Sequence, residues 1–164
     1  LSSSSAASDV YKRQILDTND DIKAGSEQHQ WLETELAKTD QAKFVAFVFH
    51  QSIFSSGPHA KESQKLIDSI VPLFEKYNVE VVFSGHDHFY ERSFYNNVYY
   101  IITGGGGAPL YQPTFDNPYQ QKIAKAYNFC RLTIAGNEIL IEAFDENLNL
   151  IDQFKIQNKA GSGV

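Results

Sequence analysis

The chain has 164 residues, of which 42% are apolar, 21% charged and 13% aromatic. That composition suits one sizeable core and argues against a disordered chain or a disulfide-stapled miniprotein. Fourteen Lys and Arg against twenty Asp and Glu give a net charge of −6. An acidic chain without a basic run argues against nucleic acid or an anionic membrane as partner. No stretch approaches the ~18 consecutive apolar residues of a membrane-spanning helix. There is no methionine, even at position 1, so the chain is read as part of a longer one.

Residues 1–14 are read apart from the rest. Leu1-Ser-Ser-Ser-Ser-Ala-Ala-Ser8 is low-complexity, and Val10-Tyr-Lys-Arg-Gln14 resembles a translated adapter. A native disordered tail is the alternative, and either way the fold is expected to begin at Ile15. Ile15-Leu16 then reads as the end of a buried strand. Ser26 is a candidate N-cap for a helix carrying Trp31, Leu32 and Leu36 on one face.

Phe44-Val-Ala-Phe-Val-Phe49 is a continuous apolar run of strand length, the pattern of a sheet covered on both faces. A Ser/Gly/Pro/His loop follows. Leu66, Ile70, Phe74 and Tyr77 mark a helix expected to kink or restart at Pro72. Val79–Phe83 is the next strand. Asn96-Asn97 predicts a hairpin into Val98–Ile102, ahead of four glycines at 104–107. The tail alternates as antiparallel strands turning at Gly136-Asn137 and Asn147–Asn149, and Cys130 lies within it as a packed thiol. The order strand, helix, strand, helix, strand, then hairpins predicts a parallel sheet with crossover helices beside an antiparallel one.

Five histidines are present. His50 closes the apolar strand, while His86 and His88 follow the next one across Ser84-Gly85. The crevice beyond the carboxyl ends of parallel strands is where such sheets bind ligands. Two imidazoles on one side of an extended segment, with a third from a neighbouring strand end, suit a borderline divalent metal. Such pairs also occur on surfaces without consequence, and the third histidine favours the metal. His29 reads as a solvated residue on the exposed face of the first helix. The glycine run 104–107 is no P-loop, because no Gly-Lys-Ser/Thr follows it; it is either a flexible turn or a loop lining the site.

These residues carry a resemblance. Ser84-Gly-His-Asp-His-Phe-Tyr-Glu-Arg92 resembles the Gly-His-x-His signature of calcineurin-like metallophosphoesterases, in its purple acid phosphatase form. Gln28-His-Gln-Trp-Leu-Glu33, His50-Gln-Ser-Ile-Phe-Ser-Ser-Gly-Pro-His59 and Tyr100-Ile-Ile-Thr-Gly-Gly-Gly-Gly107 resemble three further motifs in the family's order. The resemblance implies an α/β fold, part of a four-layer α/β/β/α sandwich with mixed sheets, with residues 15–164 as its C-terminal portion. It implies a phosphoric ester hydrolase acting on small-molecule phosphate esters through two metal ions of iron, zinc or manganese. His50 and His86 would hold one ion and His88 the other. His59 would face the substrate, binding phosphate oxygens or protonating the leaving group. Asp87 would support the site without ligating, and Tyr90, Glu91 and Arg92 would be structural. Secretion or a periplasmic location rests on the resemblance alone.

The same family pattern calls for Gly-Asp and Gly-Asn-His motifs, which supply the bridging aspartate and further ligands. The 164 residues contain neither. The chain by itself is therefore expected to be inactive, with strands Phe44–Phe49 and Val79–Phe83 left as exposed edges. Two other classes stand beside this reading. One is a metal-binding module holding a single structural zinc on His50, His86 and His88. Another is a β-rich interaction domain with incidental histidines.

Overall fold

A strand that is apolar at every position needs cover on both faces, and the strand Val45–Val48 receives it. A computed structural model describes residues 3–4, 12–18, 21–39 and 42–158. In chain order the elements are β1 (Ser3–Ser4), β2 (Lys12–Ile15), α1 (Glu27–Leu36), β3 (Val45–Val48), a short 3-10 turn (Ala60–Ser63) and α2 (Gln64–Lys76). Then come β4 (Val81–Ser84), β5 (Tyr90–Tyr95), β6 (Val98–Thr103), β7 (Gln120–Ala124), β8 (Asn128–Ala135), β9 (Glu138–Asp145) and β10 (Leu150–Gln157). A seven-stranded mixed sheet runs β1-β2-β3-β4-β6-β5-β7, and a three-stranded antiparallel sheet runs β10-β9-β8.

The parallel part is β2, β3, β4 and β6, with α1 and α2 in the crossovers, as the alternating sequence implies. Side chains along β3 go alternately to two cores. Val45 and Phe47 pack with Leu32, Leu36, Ile70 and Phe74 beneath the helices. Phe44 and Ala46 pack with Val81, Phe83, Ile139 and Ile141 between the two sheets. On β9 the smaller sheet alternates in turn: Ile139, Ile141 and Ala143 are buried, with Leu140, Glu142 and Phe144 half-buried between them. Helix, sheet and sheet are thus three layers of the expected four-layer sandwich.

The helices form where the sequence placed them. Ser26 caps α1, its hydroxyl accepting from the His29 N–H at 3.3 Å. Gln28, on the same turn, is buried and clamps the end of β2: it accepts from the Asp17 N–H at 2.9 Å and donates to the Asp17 carbonyl at 2.8 Å. His29 is not simply solvated, for its Nε2 lies 3.2 Å from the Ser69 carbonyl of α2. The Asn96-Asn97 hairpin forms with both residues at positive φ, 44° and 64°, the backbone that a two-residue turn between twisted strands requires.

Three expectations are corrected. Helix α2 neither kinks apart nor restarts at Pro72, which sits inside one continuous helix. Pro72 is solvent-exposed, so the carbonyl deprived of its partner can turn to water. Strand β3 is not an edge, because β2 pairs with it in parallel from Lys12 to Ile15 on one side and β4 on the other. Strand β4 is likewise interior, between β3 and β6. Within the leader set apart from the fold, β2 starts at Lys12 and pairs with β3, and Ser3–Ser4 pairs with β2; residues 1–2 and 5–11 lie outside the described residues.

One polar clasp ties the two sheets together. Asp152 of β10 accepts from the Tyr90 hydroxyl at 2.8 Å and from the Arg92 Nε at 2.7 Å, both donors on β5. Arg92 and Asp152 side chains are only 16% and 8% exposed, and the Arg92 guanidinium also lies 4.5 Å from the centre of the Phe154 ring. Burial pushes the Asp152 carboxyl up, but the bonds from Arg92 and Tyr90 outweigh it and hold it below the ordinary carboxylate range. An acid lowered by folding stabilises above its unfolded value of about 4, and that stabilisation is lost as pH falls through the folded value. Replacing Asp152 by Ala should therefore cost about 3 kcal/mol at neutral pH, since it strands a buried cation. In urea titrations the gap between variant and parent should shrink as the pH is lowered below 4; a gap constant down to pH 2 would contradict the clasp.

Candidate metal and phosphate site

The loops that leave the carboxyl ends of β3 and β4 lie side by side, joined by the Gly85 N–H donating to the His50 carbonyl at 3.0 Å. That junction brings the histidines of two distant segments together. His50 Nε2 lies 3.1 Å from His86 Nδ1. Two nitrogens bound tetrahedrally to one zinc ion sit roughly 3.3 Å apart, so this pair already has the separation of ligands on a common ion. His86 holds a left-handed backbone, φ 66°, which a non-glycine residue adopts at a cost and mostly where a site requires it.

His59 approaches from the long loop after β3. Its ring centre is 4.2 Å from that of His86, and its Nδ1 lies 2.8 Å from the Asp87 carboxylate. Asp87 is fully buried. Its carboxylate also accepts from the hydroxyls of Ser52, at 3.1 Å, and Ser55. With an acceptor-only carboxylate at Nδ1, the proton stays on that nitrogen and Nε2 is left with a free lone pair. The Asp87 carboxylate is thus engaged by two serine hydroxyls and the His59 ring.

Room for Asp87, side chain and backbone, depends on two glycines. A Cβ at Gly57 would collide with the Asp87 carboxylate, and one at Gly104 with the Asp87 carbonyl oxygen. The glycine run is thus no idle turn, since Gly104 also donates its N–H to the Phe89 carbonyl at 3.1 Å. It presses against the segment that carries His86 and His88.

His88 lies apart from the other three. Its Nδ1 is 2.9 Å from the Pro109 carbonyl, and its ring stacks on Tyr111 with centres 4.1 Å apart. A ring nitrogen donating to a backbone carbonyl leaves the other to ligate, the usual outer support of a metal-bound imidazole. Tyr111 faces His59 as well, at 5.6 Å, and forms a wall between the two rings. Its loop is rich in Pro, Asn and Gln and carries no motif to announce it.

A further residue joins the site without having been singled out by the sequence. Glu62, on the 3-10 turn, places a carboxylate oxygen 3.3 Å from His86 Nε2. Among the described residues, His59, Glu62 and His86 are the group whose ligand atoms lie within 4.8 Å of one another; His50, His86 and His88 do not form such a group. The signal was available as the spacing from His59 to Glu62, three residues on one turn. Elsewhere the expected structural roles hold. Glu91 is buried and accepts from the Ser56 N–H at 2.8 Å and from Asn117 at 2.8 Å, and burial raises its pKa against these bonds. Burial likewise pushes the Cys130 thiol up to about 11, an inert packed cysteine rather than a nucleophile.

Histidines stand at the carboxyl ends of neighbouring parallel strands beside a second sheet, and this mixed α/β fold is shared with solved purple acid phosphatase structures. Relatives by sequence are purple acid phosphatases. The chain is 36% identical over 108 residues to probable purple acid phosphatase 20 of Arabidopsis thaliana, covering 57% of the chain and 25% of the relative. It is 30% identical over 112 residues to a phosphoenolpyruvate phosphatase of Allium cepa, covering 62% and 23%. Among solved structures it is similar to the purple acid phosphatase of yellow lupin seeds, with TM-score 0.78 at 22% identity over 90% of the chain and 31% of that structure. It is similar too to GAP50, the anchor in the inner membrane complex of Plasmodium, with TM-score 0.80 at 21% identity over 91% and 50%. No family model matches the chain. The chain spans about a quarter of the length of these curated relatives.

The packing of Gly57 against Asp87 is open to a direct check. Gly57→Ala should displace the carboxylate and cost about 1–3 kcal/mol, as overpacking does. In the same variant the His59 ring should lose its fixed tautomer, read as a shift of its nitrogen resonances toward a mixture. Unchanged stability together with an unchanged His59 spectrum would remove Asp87 from its supporting role.

Proposed function

We propose that this chain supplies the histidine-bearing part of a metal-dependent phosphoric ester hydrolase of the purple acid phosphatase kind. The observation that carries the reading is the meeting of His50, His59 and His86 at the ends of β3 and β4, within hydrogen-bond or ring-contact distance. In this reading His50 and His86 hold one ion and His88 the other, with residues 15–164 forming the C-terminal portion of the domain. Neutral imidazoles suit iron, zinc and manganese, and do not choose among them. Two bound ions supply a hydroxide nucleophile and bind phosphoryl oxygens.

The chain's own residues do the rest. His59 presents Nε2 toward the substrate, with Nδ1 anchored on Asp87, so the ring is aimed before substrate arrives. In its protonated form it donates to a phosphate oxygen or to the departing alkoxide. Tyr111 and His88 form the opposite wall. The net charge of −6 gives a phosphate ester little reason to approach without bound cations. Small phosphate esters are the substrates this supports, and the resemblance to plant relatives favours a secreted or periplasmic setting.

Because the 164 residues lack Gly-Asp and Gly-Asn-His, neither ion finds a full ligand set in them. Purified chain supplied with zinc, manganese or iron should hydrolyse p-nitrophenyl phosphate at no more than the rate of the metal-only blank. Robust metal-dependent turnover would overturn the inactivity. For the parent reading, the gene should continue upstream in frame into Gly-Asp and Gly-Asn-His motifs; an unrelated continuation sinks it.

A further inference from the structure

We infer that the chain carries a second kind of metal site, in which His59, Glu62 and His86 hold one divalent transition cation on the opposite edge of the His86 ring from His50. The two ring nitrogens of His86 face different partners. Nδ1 is 3.1 Å from His50 Nε2, while Nε2 is 3.3 Å from the Glu62 carboxylate. An ion held with His50 must use Nδ1, and an ion held with Glu62 must use Nε2. These are two sites that share one imidazole.

The donor set on the Glu62 side is complete enough to bind. Two imidazoles and a carboxylate, with a fourth position open, is a recurrent zinc arrangement. The three ligand atoms lie within 4.8 Å of one another, and the separation of His86 Nε2 from Glu62 already matches the roughly 3.3 Å expected across a tetrahedral ion. What contraction remains falls on Glu62, whose side chain is 57% exposed and free to change rotamer. A second, independent observation points to a ligand. His59 binds Asp87 through Nδ1 at 2.8 Å, the carboxylate–histidine pairing that orients a metal-bound ring and makes its other nitrogen a better donor.

Occupation of this site has a chemical consequence for the proposed hydrolase. A cation there takes the nitrogen of His59 that would face the phosphate, and it competes for His86 with the ion shared with His50. The site is therefore inhibitory in kind, filled when zinc is in excess. The binding itself does not rest on the phosphoesterase reading, because it needs only three side chains that this chain contains.

The test uses the 164-residue chain and zinc chloride alone. Calorimetric titration should give one zinc per chain, and Glu62→Gln should weaken it at least tenfold with an unchanged circular dichroism spectrum. Long-range proton–nitrogen correlation spectra should place the zinc-induced shift on Nε2 of His59 and Nε2 of His86. Three results would overturn the inference: no zinc binding, zinc binding indifferent to Glu62→Gln, or a shift on Nδ1 of His86 in its place. The last of these would at the same time favour the ion shared with His50, so the two readings fail separately.

Discussion

The carboxylate of Asp87 is the constraint around which the functional end of this molecule is arranged. A fully buried carboxylate is tolerated only when donors surround it, and here two serine hydroxyls and the His59 ring supply them. Those donors come from the loop between β3 and the 3-10 turn, while Asp87 itself follows β4. Satisfying one buried charge therefore folds the loop of residues 49–59 back onto a neighbouring strand end. A Cβ at position 57 would strike this carboxylate, and one at position 104 the Asp87 backbone carbonyl, so both stay glycine. Glu91, which accepts from the Ser56 N–H, is the second buried carboxylate holding the loop from Ser52 to His59.

The rest of the fold is ruled by layer cover. Strand β3 could be recognised in the sequence because its side chains serve two cores, one under the helices and one between the sheets. A strand buried on both faces cannot alternate, and its apolar run stands out. The hairpins were legible for the opposite reason, since their turns at Asn96-Asn97 and Gly136-Asn137 demand positive φ. What sequence could not convey was lateral neighbourhood. Nothing in Lys12-Arg-Gln-Ile15 announces a partner for β3; a polar four-residue strand is defined by what it pairs with, not by its own pattern. The continuity of α2 through Pro72 was hidden similarly, because the cost of proline depends on whether the freed carbonyl reaches water.

The site was read more fully than the sheet order, with an instructive division. His50, His59 and His86 lie at strand ends or in a motif, and the fold does bring them together. His88, expected to hold the second ion, lies beside Tyr111 and Pro109. Glu62 and Tyr111 escaped notice because single glutamates and tyrosines in polar loops are common and carry no spacing of their own. Their places are set by tertiary contacts, Glu62 by the turn that follows His59 and Tyr111 by the loop that closes over His88.

The left-handed backbone of His86 reaches beyond its own ring. A residue held at φ 66° gives up roughly 1–2 kcal/mol that a glycine there would keep. Side chain and backbone are thus valued separately at this position, and in opposite directions. Loss of the imidazole relieves nothing if alanine replaces it, whereas glycine or asparagine would return conformational energy to the fold. That histidine stands there all the same marks a position where the ring, and not the backbone, sets the choice of residue.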